Sequence, residues 1–228
     1  MSANYHSLRR EITDQTRQVV RKVFARRGPD GALRQVHREL AGQLERLPRE
    51  DRSPVACEAG CDFCCHLRVM ATPVEVFAVL DYAEQTLEPK AHEAFLARLA
   101  SAEERLRALP EESVLLTNIP CPLLVDGCCS IYPARPLNCR SYHSVSRQAC
   151  EVSFNNPQDL SLGHPQYTAV AKVNEGVQSG FSRAFAEQGV DQRQYELVTA
   201  LAEAVADPQS RARYQRGELA FLKALSDF

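Results

Sequence analysis

The chain has 228 residues, 44% hydrophobic and 25% charged, the proportions of a globular protein able to bury a sizeable core. Disorder and fibrous structure are excluded. A formal charge of -2 and an isoelectric point near 6.3, with no long block of one sign, leave no electrostatic footprint for nucleic acid.

The opening MSANYHSLRREITDQTRQVV lacks the uninterrupted apolar run of a signal peptide. No later stretch approaches the ~18 apolar residues of a membrane span. The expectation is a cytoplasmic protein with no membrane partner. Thiols stay reduced in that compartment, so nine cysteines read as metal ligands or reactive thiols before they read as disulfides.

Taken in chain order, Leu8, Ile12, Val19, Val20, Val23 and Phe24 recur at helical spacing, and Gly28-Pro29-Asp30-Gly31 ends that helix. Leu33, Val36, Leu40, Leu44 and Leu47 mark a second helix, so residues 1–54 are expected to form a helical hairpin closed by a polar connector from Pro48 to Pro54. Thr72-Pro73-Val74-Glu75 combines an N-cap hydroxyl, proline in the first turn and a glutamate placed to bond back to the cap, which starts a helix running to about Thr86. Another follows from Pro89 through Leu109. Residues 110 to 165, rich in Pro, Cys, Asn, Ser and Gly, show no sustained helical period. Beyond them come a helix on Val170, Val173, Val177, Phe181 and Phe185, and one on Tyr195, Val198, Leu201, Ala202 and Val205. The last is expected to open at Asp207-Pro208 and use Tyr214, Leu219, Phe221, Leu222 and Leu225. With no alternating strand in view, the fold class is mainly α, a helical domain with an irregular cysteine region tied by metal. The spans are 1–54, a cysteine region 55–150, and C-terminal helices 151–228, together one compact domain.

The chemistry concentrates in CEAGCDFCCH, residues 57 to 66. Cys57, Cys61, Cys64 and Cys65 have the spacing of one buried helical stripe, and cysteine can act as a small core hydrophobe. Against that reading, residues 58 to 66 contain no Leu, Ile or Val, and Gly60 sits in the middle. Cys121, Cys128, Cys129, Cys139 and Cys150 fall in the loop-rich part, where an ion held by thiolates would supply the order that a thin core does not. Adjacent Cys64 and Cys65 diverge in any regular backbone, so one ion need not use both. Arg135, Arg140, Arg147 and His143 surround Cys139 in sequence and are placed to offset thiolate charge, with His66 and His143 beside the ligands rather than among them. Cys57-x3-Cys61-x2-Cys64 has the spacing of radical S-adenosylmethionine enzymes, but the alternation of strands and helices that carries that chemistry is missing. A zinc ribbon needs two C-x2-C knuckles, and only Cys61 and Cys64 make one.

CEAGCDFCC at 57 to 65 and CPLLVDGCCSIYPARPLNCRSY at 121 to 142 together resemble the YkgJ-type cysteine-cluster family, a zinc- or iron-chelating domain marked by CxxxCxxCC, then C-P-x-L, C-x-I-Y-x-x-R-P and C-R. The resemblance covers roughly residues 55 to 150. It implies Cys57, Cys61, Cys64, Cys65, Cys121, Cys129 and Cys139 as ligands, with Cys150 as the further downstream cysteine. Cys128 falls outside the pattern. Tyr132, Arg135, Pro136 and Arg140 match it and shape the loop. A related cluster occurs in the flagellin lysine methylase.

The leading expectation is therefore a cytoplasmic metal-binding protein holding zinc or iron, one or two ions, through these eight cysteines. An iron-sulfur cluster enzyme, such as a methylase-like protein-modifying one, is the alternative, and a thiol redox sensor the third.

Overall fold

The computed structural model describes residues 5–226. The outer ends of the first and third expected spans, residues 1–4 and 227–228, lie outside it. In chain order the elements are α1 (Tyr5–Arg46), β1 (Met70–Ala71), α2 (Pro73–Thr86), α3 (Pro89–Arg107), β2 (Leu124–Val125), β3 (Cys128–Cys129), α4 (Leu137–Ser141), α5 (Arg147–Asn155), α6 (Thr168–Ala186), β4 (Tyr195–Glu196), α7 (Leu197–Ala206) and α8 (Gln209–Gln215). The protein is mainly α. None of the described helices is long and apolar enough to cross a membrane.

α1 is broken at Gly28, whose φ of 65° and ψ of -172° are non-helical, and Pro29 starts the second limb where its fixed φ suits a helix entry. The limbs, 5–27 and 29–46, fold back on each other, so that Gln43 Nε2 donates to Gln15 Oε1 at 3.2 Å. α6 packs along this hairpin at close range. A Cβ on Gly180 would stand 2.6 Å from Thr16 Cβ and 2.7 Å from Thr13 O, and one on Gly176 2.9 Å from Ile12 Cβ. Two glycines one turn apart thus let the helices approach until backbone meets side chain.

α2 buries Val74, Val76, Phe77, Val79 and Ala83, and α3 buries the stripe Phe95, Leu99, Ala102 and Leu106; both pack on α7 through Leu197, Val198, Ala200 and Leu201. Antiparallel β1 and β4 pair Met70 with Glu196 and Ala71 with Tyr195, which fastens the chain just after the first cysteines to the start of α7. β2 and β3 form a hairpin with Leu124 opposite Cys129. Its turn, Asp126-Gly127, has φ of 49° and 74°, as a two-residue hairpin of type I′ demands.

Two expectations are corrected. Residues 110 to 165 are not wholly irregular, since α4 and α5 lie within them, too short for a periodic signal. The last helix stops at Gln215, and Leu219, Phe221, Leu222 and Leu225 lie beyond it. Gly217, at φ 76° and with its would-be Cβ 2.8 Å from Gly189 O, turns the chain there. Glu203 then takes the amides of Leu222, Lys223 and Ala224 at 2.6, 2.8 and 2.7 Å, satisfying backbone that a helix would otherwise have paired.

Candidate metal centre

Residues 57 to 66 do not form a helix, so the stripe reading of the four thiols falls away. Gly60 at φ 85° makes a turn closed by Cys61 N donating to Glu58 O at 3.1 Å, and a single 3-10 turn, Phe63–His66, follows. Cys64 and Cys65 lie in that turn, Cys57 and Cys61 ahead of it. Two walls grip the segment from different sides.

The first wall is the chain from 119 to 139. Ile119 N donates to His66 O at 3.2 Å and Cys121 N to Cys65 O at 2.8 Å, and Gly127 in the hairpin turn lies against Gly60. Arg68 clamps the junction, with its Nη2 donating to His66 O at 2.9 Å and Ile119 O at 2.6 Å, while Nη1 stands 3.6 Å from Glu196; both side chains are buried. Cys129 sits in β3. Cys139 sits in α4, whose first amide, Leu137 N, donates to the buried Glu75. Arg135 before Pro136 is extended, at φ -57° and ψ 142°, the conformation proline imposes on its predecessor, and α4 starts directly after.

The second wall runs from 141 to 167. Ala56 N donates to Ser144 O at 2.8 Å, Arg147 pairs with Glu58 at 3.0 Å, and Phe154 packs on Phe63 and His66 with ring centroids 5.4 and 5.0 Å apart. Cys150 is carried by α5 in this wall.

All nine cysteines are free thiols, with Cys57 and Cys128 exposed and the other seven half-buried. Burial pushes the Cys121 thiol up to about 11, against the opposing hydrogen bond from the Leu123 amide. Cys139 is pushed up by burial, then by Cys121, Cys129 and Cys64. Cys64 is raised first by its hydrogen bond with Cys65 and then by burial, and Cys129 and Cys61 first by burial. Burial at Cys121, Cys129 and Cys139, and the hydrogen bond with Cys65 at Cys64, thus favour the protonated thiol, and the neighbouring thiols add to the same direction. A bound cation reverses that balance, and thiolate is the ligand that zinc and iron favour. The donor chemistry fits the ion. Among the described residues, however, no three or more His, Cys, Asp or Glu side chains are arranged so that they could hold an ion. The thiols are gathered but not closed.

The hydrogen bonds and ion pairs of the basic residues go to oxygen partners and not to the thiols, while Arg135 still favours the Cys129 and Cys64 thiolates by its charge, as Arg147 does Cys61. Arg147 reaches Glu58 rather than Cys139, and Arg140 bonds to the carbonyls of Arg135 and Pro133 in its own loop. His143 Nε2 accepts from Tyr167 N at 3.1 Å and Nδ1 faces Ser141 O at 3.3 Å, so both ring nitrogens serve the backbone. His66 stands 3.6 Å from Asp62. Arg68 and Tyr142 escaped sequence reading: neither carries a spacing signal of its own. Tyr142 stacks on His164, and its oxygen lies 3.1 Å from His164 Nδ1.

Comparisons with curated proteins and with solved structures returned no match. A family model does match, over residues 56–161: CxxCxxCC, described as a "putative zinc- or iron-chelating domain". That span contains the first wall, the second as far as residue 161 and all nine cysteines, with three residues rather than two between Cys57 and Cys61. Over residues 56–161 this chain is therefore similar to the CxxCxxCC domain.

Proposed function

We propose that the chain is a metal-binding protein in which Cys57, Cys61, Cys64, Cys65, Cys121, Cys129, Cys139 and Cys150 hold zinc or iron. The observation that carries this reading is the hydrogen bond from Cys121 N to Cys65 O at 2.8 Å, which brings the segment of Cys57, Cys61, Cys64 and Cys65 against the one that goes on to Cys129 and Cys139. The ion would act as a cross-link: four-coordinate thiolate sites contribute folding energy directly, and here they would join the 57–66 turn to both walls. Binding requires the thiols to lose their protons and turn inward onto the ion. Exposed Cys128 lies outside this set. Free thiols suit a reducing compartment such as the cytoplasm.

The test is serine replacement. Cys61→Ser and Cys139→Ser should each lower the metal content of anaerobically purified protein and lower its melting temperature. Unchanged content and stability in both variants would end the proposal.

A further inference from the structure

The loop from Tyr132 to Pro136, ahead of α4, carries positive charge that chelation does not use. Arg135 lays its guanidinium on the Tyr132 ring, 3.8 Å from the centroid, and Tyr132 is 58% exposed. Arg140 reaches back into the same loop, with Nε donating to Arg135 O at 2.9 Å and Nη2 to Pro133 O. Two guanidinium groups are thus held to one short loop at the surface.

Neither is answered by a carboxylate. Among the described residues no acidic side chain forms an ion pair with Arg135 or Arg140. Glu75, whose charge acts on Arg140, is committed to the amides of Leu137 and Thr72 and to the Thr72 hydroxyl. The Arg135 guanidinium makes no hydrogen bond to any described residue, the nearby thiols included, and its Nε is buried without a partner. Nε2 of His37, on the second limb of α1, is buried and unpartnered as well, and its imidazole lies within the field of both arginines. Unpartnered buried nitrogens are rare, because each forfeits a hydrogen bond it had in water.

The partner these groups lack is an anion with several oxygens. Two fixed positive charges match the two negative charges that a phosphate monoester carries near neutral pH, and the planar fork of arginine suits phosphate oxygens. The exposed part of the Tyr132 ring adds apolar surface beside the charge, suited to the group esterified to the phosphate. We propose that Tyr132, Arg135 and Arg140, with His37 beside them, form a binding site for a phosphate group, supplied as inorganic phosphate or as a phosphate monoester. No cysteine contributes to it, so it stands whether or not the thiols hold an ion.

The test titrates the full chain, purified anaerobically, with inorganic phosphate and with phenyl phosphate at constant ionic strength, reading binding by calorimetry and by the His37 imidazole resonances. Saturable binding that moves those resonances is expected. Arg135→Gln should weaken it by about tenfold, the loss of one charge-assisted contact, with unchanged circular dichroism, and Arg135→Lys should recover part of it. Arg26→Gln, which removes the same charge from an exposed position of α1, should change it by less than about twofold. Tighter binding of phenyl phosphate, with the advantage lost in Tyr132→Ala, would support a monoester as the ligand, and equal binding of the two would support phosphate itself. No saturable binding of either by wild type, or equal weakening by Arg135→Gln and Arg26→Gln, would overturn the proposal.

Discussion

Glu75 Oε1 accepts the backbone amide of Leu137 at 2.8 Å, joining the first turn of α2 to the first turn of α4 across 62 residues of sequence. Its other oxygen takes the Thr72 amide and hydroxyl at 2.8 and 2.7 Å. One buried carboxylate thus caps one helix and sets the start of another, which carries Cys139. Glu75→Gln keeps the shape but replaces one acceptor oxygen with a donor, leaving a buried amide without a partner. The expected cost is about 1–3 kcal/mol in urea unfolding. An unchanged midpoint would show that the bond to Leu137 carries no stability.

The approach of α6 to α1 makes a second prediction. Gly180→Ala places a Cβ into Thr13 and Thr16 backbone and side chain and should destabilise by about 1–3 kcal/mol. Gly42→Ala, where a Cβ meets nothing within 4 Å, should be neutral or gain a few tenths of a kcal/mol from helix propensity. Equal effects at the two positions in thermal unfolding would contradict the packing account.

Acid sensitivity should come from His37. Burial, then Arg140 and Arg135, lower its value from 6.5 to about 3. Between those values the unfolded chain binds a proton that the folded protein refuses, so stability is full above 6.5 and is lost as pH falls toward 3. Glu75 works in the opposite sense, because burial raises its value; its contribution is present at low pH and is lost as pH rises through the folded value. His37→Leu should therefore flatten the fall of stability between pH 6.5 and 3, read from urea midpoints across that range. A slope as steep as wild type would assign the sensitivity elsewhere.

Arg68 predicts a coupling between stability and metal. Arg68→Met leaves Glu196 buried without its cation and frees the carbonyls of His66 and Ile119, which should cost about 3–5 kcal/mol. Arg68→Met with Glu196→Gln should recover part of the stability but not the junction between Cys65 and Cys121. Metal affinity should stay low in the double variant. Full recovery of both would make Arg68 a partner of Glu196 alone.

The helices were legible where local chemistry and burial agree. Thr72-Pro73-Val74-Glu75 announced the start of α2, and the Val170 to Phe185 period announced α6. Glu75 also shows the limit, since nothing near it in sequence points to Leu137. The Asp126-Gly127 pair is a hairpin signal in its own right, hidden by strands of only two residues. Leu219 to Leu225 has helical spacing, yet Gly217 and the Glu203 carboxylate hold it as an irregular strap. For the cysteines, the residue types and the two separate clusters pointed to chelation. The assignment of Arg147 to Glu58, and the presence of Arg68 and Tyr142 beside the thiols, depend on tertiary placement that no spacing encodes.

The central claim is that the gathered thiols bind an ion. Elemental analysis of the full chain, purified anaerobically and freed of loosely held metal, tests it most directly beside Cys139→Ser. Stoichiometric zinc or iron in wild type, reduced in the variant, is the expected result. A wild-type protein with no bound zinc or iron, and no gain in melting temperature when either is added, would contradict it.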